Sequence, residues 1–105
     1  MDEDDFNRRA GETLERIVTA IDDSGLDCDI ELKDGGVIEL EFENGTRMVI
    51  NRHGAAREIW VAARSGGYHF RADGDRWVNT RDGSELFEAL SRCVSEQSGS
   101  PVVLQ

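Results

Sequence analysis

The apolar residues of this chain change period once near residue 25 and again near residue 82, and those two switches fix what it can fold into. From about Asp4 to Ser24, Phe6, Ala10, Leu14, Ile17, Val18 and Ile21 recur at spacings of three and four. They fall on one helical stripe, with Asp4, Glu15 and Asp22 opposite. Gly25 ends that helix, and the period becomes two. Cys28, Ile30 and Leu32 alternate with Asp27, Asp29 and Glu31, then Ile38, Leu40 and Phe42 with Glu39, Glu41 and Glu43. Each strand therefore has one apolar and one acidic face. Asp34-Gly35-Gly36 and Glu43-Asn44-Gly45 read as hairpin turns, because Gly and Asn tolerate the positive φ of tight connections. Further strands are predicted at about 46–51, 58–63, 68–73 and 76–79, with Gly-bearing turns between them. Asp82-Gly83-Ser84-Glu85 opens a second helix capped by Asp82 or Ser84, with Leu86, Phe87, Leu90 and Val94 as its apolar stripe. The Ser-rich, Pro-bearing end from Ser95 to Gln105 reads as a frayed tail.

Helix, six short strands and helix is the order of an α+β sandwich, with both helices on one side of an antiparallel sheet and the other side open to water. A chain of 105 residues suits one domain, 1–105, with an ordered core at about 4–96 and a tail at 97–105. If the pleat alternates without a bulge, the open face carries Glu31, Glu39, Asn51, Trp60, His69 and Arg71 among others.

Charge is as unevenly distributed as period. Residues 1–43 hold 15 Asp and Glu against Arg8, Arg9, Arg16 and Lys33, whereas residues 44–105 hold seven against eight Arg. The formal net charge of −10 thus belongs to the first part of the chain. Such a block repels itself and gathers counterions, so a bound cation or a basic partner would relieve it. Glu12, Glu15, Asp22 and Asp23 from the helix, with Asp27, Asp29 and Glu31 from the first strand, are expected to line one edge as a carboxylate ridge. Carboxylates are hard oxygen ligands suited to Fe, Mn, Mg or Ca, and without His or Cys they discriminate poorly among them.

Other classes find little support. There is no basic stripe for phosphate neutralisation, which disfavours nucleic acid. No run approaches the ~20 apolar residues of a membrane span. The opening Met1-Asp2-Glu3-Asp4-Asp5 is the reverse of a basic leader, so a cytoplasmic protein is expected. Cys28 and Cys93 form no CxxC and have no His at zinc spacing, so both are expected as reduced thiols. No nucleophile elbow, phosphate loop or paired-His motif occurs, and no enzyme is predicted. His53 and His69 are weak signals individually. Trp60, between Ile59 and Val61, stands on the opposite face from them and is a candidate contact anchor with Asn51, Arg52 and His53 nearby.

Phe42-Glu43-Asn44-Gly45-Thr46-Arg47-Met48-Val49-Ile50-Asn51-Arg52, then Ile59-Trp60-Val61-Ala62 and Gly66-Gly67-Tyr68-His69-Phe70, resembles the frataxin family. Gly74-Asp75-Arg76-Trp77-Val78 and Asp82-Gly83-Ser84-Glu85-Leu86-Phe87 continue the resemblance, and the acidic first helix completes it, over about residues 4–96. The resemblance implies a frataxin-like two-layer sandwich, two helices packed on one face of a six-stranded antiparallel sheet. It also implies weak binding of iron, Fe2+ or Fe3+, on surface carboxylates, and docking on the cysteine desulfurase and its iron–sulfur scaffold protein. Carried over by position, Asp22, Asp23, Asp27, Asp29 and Glu31 match the ridge, and Asn51, Arg52, His53 and Trp60 match the sheet surface used for partner contact. The expected protein is a non-enzymatic, iron-binding regulator of cluster assembly, a monomer with iron-induced oligomers, open to other divalent cations. The alternative is a ferroxidase, or an iron chaperone or store.

Overall fold

The computed structural model describes residues 1–105 as α1 (Glu3–Asp23), β1 (Cys28–Lys33), β2 (Val37–Phe42), β3 (Arg47–His53), β4 (Glu58–Ala63), β5 (Gly66–Asp73), β6 (Arg76–Asn79) and α2 (Leu86–Ser98). The six strands pair antiparallel in the order β1-β2-β3-β4-β5-β6. Every neighbour in the sheet is therefore a neighbour in sequence. The period-two residues Ile38, Leu40, Phe42, Met48, Ile50, Ile59, Val61 and Phe70 are buried on one face, against the buried stripes of both helices. That is the sandwich expected from the alternation, with the other face of the sheet left without a covering layer.

Local chemistry explains the element ends. Asp2 caps α1, its Oδ1 accepting the Asp5 N–H at 2.8 Å, and Glu3, Asp4 and Asp5 complement the positive end of the helix dipole. The buried stripe is Phe6, Ala10, Leu14, Ile17, Ala20 and Ile21, while Val18 is only partly buried beside the core. Gly25, at φ 75°, follows the Ser24 cap and turns the chain toward β1.

Two expectations at the C-terminal end are corrected. The cap of α2 is Glu85, whose carboxylate accepts the Phe87 and Glu88 N–H groups at 2.8 and 3.2 Å, and not Asp82 or Ser84. Glu85 is still extended, because it bridges Val78 and the preceding Ser84 carbonyl accepts the Asn79 N–H at 2.8 Å, which delays the helix start to Leu86. Asp82 serves the preceding turn, accepting from the Ser84 N–H and hydroxyl. The tail is not frayed. Ser95 Oγ bonds the N–H and C=O of Val102, Ser91 Oγ receives the Leu104 N–H at 2.8 Å, and Leu104 is buried in the core. The serines on α2 are hydrogen-bonding partners that dock the last residues.

Gln97, also counted with the tail, is a buried clasp. Its Nε2 donates to the Thr46 hydroxyl and the Arg47 carbonyl at 3.1 and 2.8 Å, and its Oε1 accepts the Arg64 N–H at 3.0 Å. It ties α2 to β3 and to the β4–β5 turn.

Candidate docking and cation-binding surface

Because spatial order follows chain order, the charge gradient along the sequence becomes a gradient across the molecule. The acidic segment supplies α1 and the edge pair β1–β2, and the balanced remainder supplies the rest of the sheet and α2. Along this edge Glu15, Asp22, Asp23, Asp27, Asp29 and Glu31 are all exposed. None of these six forms an ion pair, whereas the sheet acids do: Glu39 holds Lys33 at 2.8 Å and Arg47 at 3.3 Å, and Glu41 holds Arg47 at 3.3 Å. The Lys33 ammonium donates to Glu39 and lowers its carboxyl from the usual range.

Glu12 leaves the ridge electrostatically. Its carboxylate lies 3.8 Å from Arg8, which also reaches Asp5 at 3.4 Å. The other basic residues of α1 occupy a flank of their own. Arg9 donates to the Gly74 carbonyl, Thr13 Oγ1 accepts the Trp77 indole N–H at 2.9 Å, and the Arg16 guanidinium sits 4.3 Å over the Phe87 ring. Spaced i, i+4 and i+7, these three face β6 and α2, a stripe that the helical period marks beside the acids.

The ridge is assembled from two elements, and Cys28 registers the junction. Burial pushes its thiol above the ordinary value, and the charges of Asp22, Asp29 and Asp27 push it further. Carboxylates from the end of α1 and the start of β1 thus act on one point. Both cysteines are free, Cys28 half-buried and Cys93 buried. Asp22 and Asp23 also lie in the last turn of α1, which has no basic residue, so they face the negative end of the helix dipole. Repulsion between carboxylates and the dipole favour the same remedy, a positive charge at this corner. No three His, Cys, Asp or Glu side chains converge as a metal cage. A cation here would be held by one or two carboxylates and its own water, as suits a hard ion bound loosely.

The open sheet face continues from this edge. The pairings run Glu31, Glu39, Val49, Ala62 in one row and Lys33, Val37, Asn51, Trp60, His69 in the next. Glu31 and Trp60 therefore share a face, three strands or about 14 Å apart. Asn51 lies directly across from Trp60, and His53 lies diagonally from it. Trp60 is not a free indole. His53 stacks on it at 3.7 Å with an interplanar angle of 11°, His69 at 4.3 Å and 9°, and its N–H donates to Glu58 Oε1 at 2.8 Å. Arg52 does not join this face. Its row partner is the buried Ile59, and its Nε donates to the Gly35 carbonyl on the helix side. Gly36 is required there: at φ 76°, a Cβ would lie 2.7 to 2.8 Å from the Arg52 side chain.

No helix is long and apolar enough to cross a membrane. The family profile described as a frataxin-like domain matches residues 1–100. A curated relative from Dechloromonas aromatica (strain RCB), an iron-sulfur cluster assembly protein CyaY, is 49% identical over 105 residues, covering all of both chains. One of the same name from Janthinobacterium sp. (strain Marseille) is 48% identical, over all of this chain and 97% of the relative. Among solved structures, frataxin from Psychromonas ingrahamii superimposes with a TM-score of 0.91 at 30% identity, over 100% of this chain and 99% of that one. A trimeric frataxin from the yeast Saccharomyces cerevisiae, complexed with ferrous ion, gives 0.62 at 29% identity, over 95% and 88%.

Proposed function

The chain belongs to the frataxin family, and on that premise we propose that it is an iron-binding regulator of iron–sulfur cluster assembly, acting by docking rather than by catalysis. The partner is the cysteine desulfurase with its scaffold protein, met in the cytoplasm by the acidic ridge and the open sheet face. Relatives sharing about half of its residues carry the cluster-assembly name, which supports the process. The observation that carries the docking is the set of six exposed carboxylates without ion pairs where α1 meets β1. Opposite charge steers a basic surface to this edge, and the aromatic column on the adjoining face supplies shape. Iron and partner draw on the same carboxylates, so each weakens the binding of the other.

The ferroxidase or store reading takes its support from the ferrous complex of the yeast relative. It calls for carboxylates and imidazoles converging on the metal, and the loosely spread ridge fits the docking reading better. The test is binding of purified desulfurase by calorimetry across a salt series. Affinity should fall as salt rises, and the D22K/D23K/E31K variant should lose about tenfold or more. Undiminished binding by that variant would remove the ridge from the interface.

A further inference from the structure

The His53–Trp60–His69 column has a geometry that a passive surface does not need. β4 carries the indole between β3 and β5, each of which lays one imidazole on it, so both faces of Trp60 are covered and its edge is what a partner meets. Each imidazole is also tied by its Nδ1 to something protonation would disturb. His53 Nδ1 accepts the Ala56 N–H at 3.2 Å, which a protonated Nδ1 cannot do. That bond closes a turn already held in an uncommon shape, with Arg57 at φ 55° and its guanidinium donating to the Gly54 carbonyl. His69 Nδ1 lies 3.8 Å from Glu58 Oε1, the same oxygen that receives the indole N–H. A proton on His69 sets the imidazole in competition with the indole for that oxygen.

We propose that His53 and His69 are positioning residues that clamp Trp60 edge-out on the docking face, and that this setting changes when they gain protons. The inference rests on the docking reading above for its consequence, though not for its test. The charged neighbours are known. Glu58 and its cross-strand partner Arg71 lie on the same face, Asp73 and its partner Arg76 continue it, Arg57 ends the β3–β4 turn, and Arg81 and Asp82 border the groove beside His69. Cations and acids are balanced at this end of the face. Two further positive charges make it less welcoming to a basic partner, and the Trp60 indole N–H must then share its single acceptor, Glu58 Oε1, with His69. Docking should therefore weaken as the two histidines gain protons.

The clamp is read in the isolated protein from the indole N–H resonances of Trp60 and Trp77 in a nitrogen-15 spectrum, assigned with W60F. The Trp60 signal should move sigmoidally between pH 7.5 and 5.5, in part in H53Q and in H69Q, and not at all in H53Q/H69Q. The buried Trp77 signal should stay still and report an intact fold. Desulfurase affinity should fall about two- to fivefold from pH 7.5 to 6.0 in the unmodified protein and hold steady in the double variant. A Trp60 signal that ignores pH, or one that titrates unchanged without the two histidines, overturns the clamp. Loss of all desulfurase binding at pH 7.5 would tell against the docking reading alone, since the resonance decides the clamp without a partner.

Discussion

Cys28 is the residue at which the ridge can be measured without a metal or a partner. Its thiol is held up by burial first and by Asp22, Asp29 and Asp27 after it, so little thiolate is present near neutral pH. The thiolate is the reactive form, so removing negative charge nearby lowers the thiol value and speeds alkylation. D22N/D29N should therefore react several-fold faster with iodoacetamide at pH 8 than the unmodified protein, and buried Cys93 should remain slow in both. Equal rates would mean that the carboxylates do not share the corner occupied by Cys28. Single residues were read unevenly from the sequence. The alternation around Trp60 placed it on the open face, because a period of two leaves no other face once Ile59 and Val61 are inside. Its two stacking partners were not foreseen, because register between strands is needed to bring His53 and His69 beside it. Arg52 was carried over by family position, whereas the alternation alone leaves it off the open face, because adjacent strand residues point to opposite faces.

At the scale of the element, α1 carries a liability that its sequence displays. Asp22 and Asp23 end a helix whose last turn has no cation, so each works against the dipole by about 0.3–1 kcal/mol. D22N and D23N should each raise the unfolding free energy by roughly that amount in urea melts, while lowering affinity for the desulfurase. A gain in stability joined to a loss of binding would mark acids that serve contact; a loss of stability would mean that they hold the folded state together. The strands were more legible than the helix ends. Gly-marked turns delimit the hairpins, whereas the start of α2 depends on the Glu85 bridge to Val78, and the tail depends on Ser91 and Ser95 meeting backbone that lies close only after folding. Composition rich in serine suggested fraying, and tertiary hydrogen bonding reverses it.

For the whole molecule, the meander matters because it preserves sequence order in space. A charge imbalance confined to residues 1–43 would be scattered by a fold with crossovers; here it remains at one edge, with unpaired carboxylates on α1 and β1 and paired ones further in on β2. The folded state then bears a repulsion that the extended chain spreads out, and any cation that binds the edge in preference to the unfolded chain stabilises the fold by RT ln(1 + [L]/Kd). At ten times Kd that is about 1.4 kcal/mol, or roughly 6–10 °C in melting temperature for a domain of this size. Ferrous ion under anaerobic conditions, and more weakly Mg2+ or Ca2+, should produce a saturating shift toward that size, beyond the rise given by NaCl at matched ionic strength. D22N/D23N/D29N/E31N should melt higher without added metal and respond to metal no more than to NaCl. If the neutralised variant gains as much from the divalent ions as the unmodified protein does, the cations act elsewhere, and the crowded edge is a solvated surface.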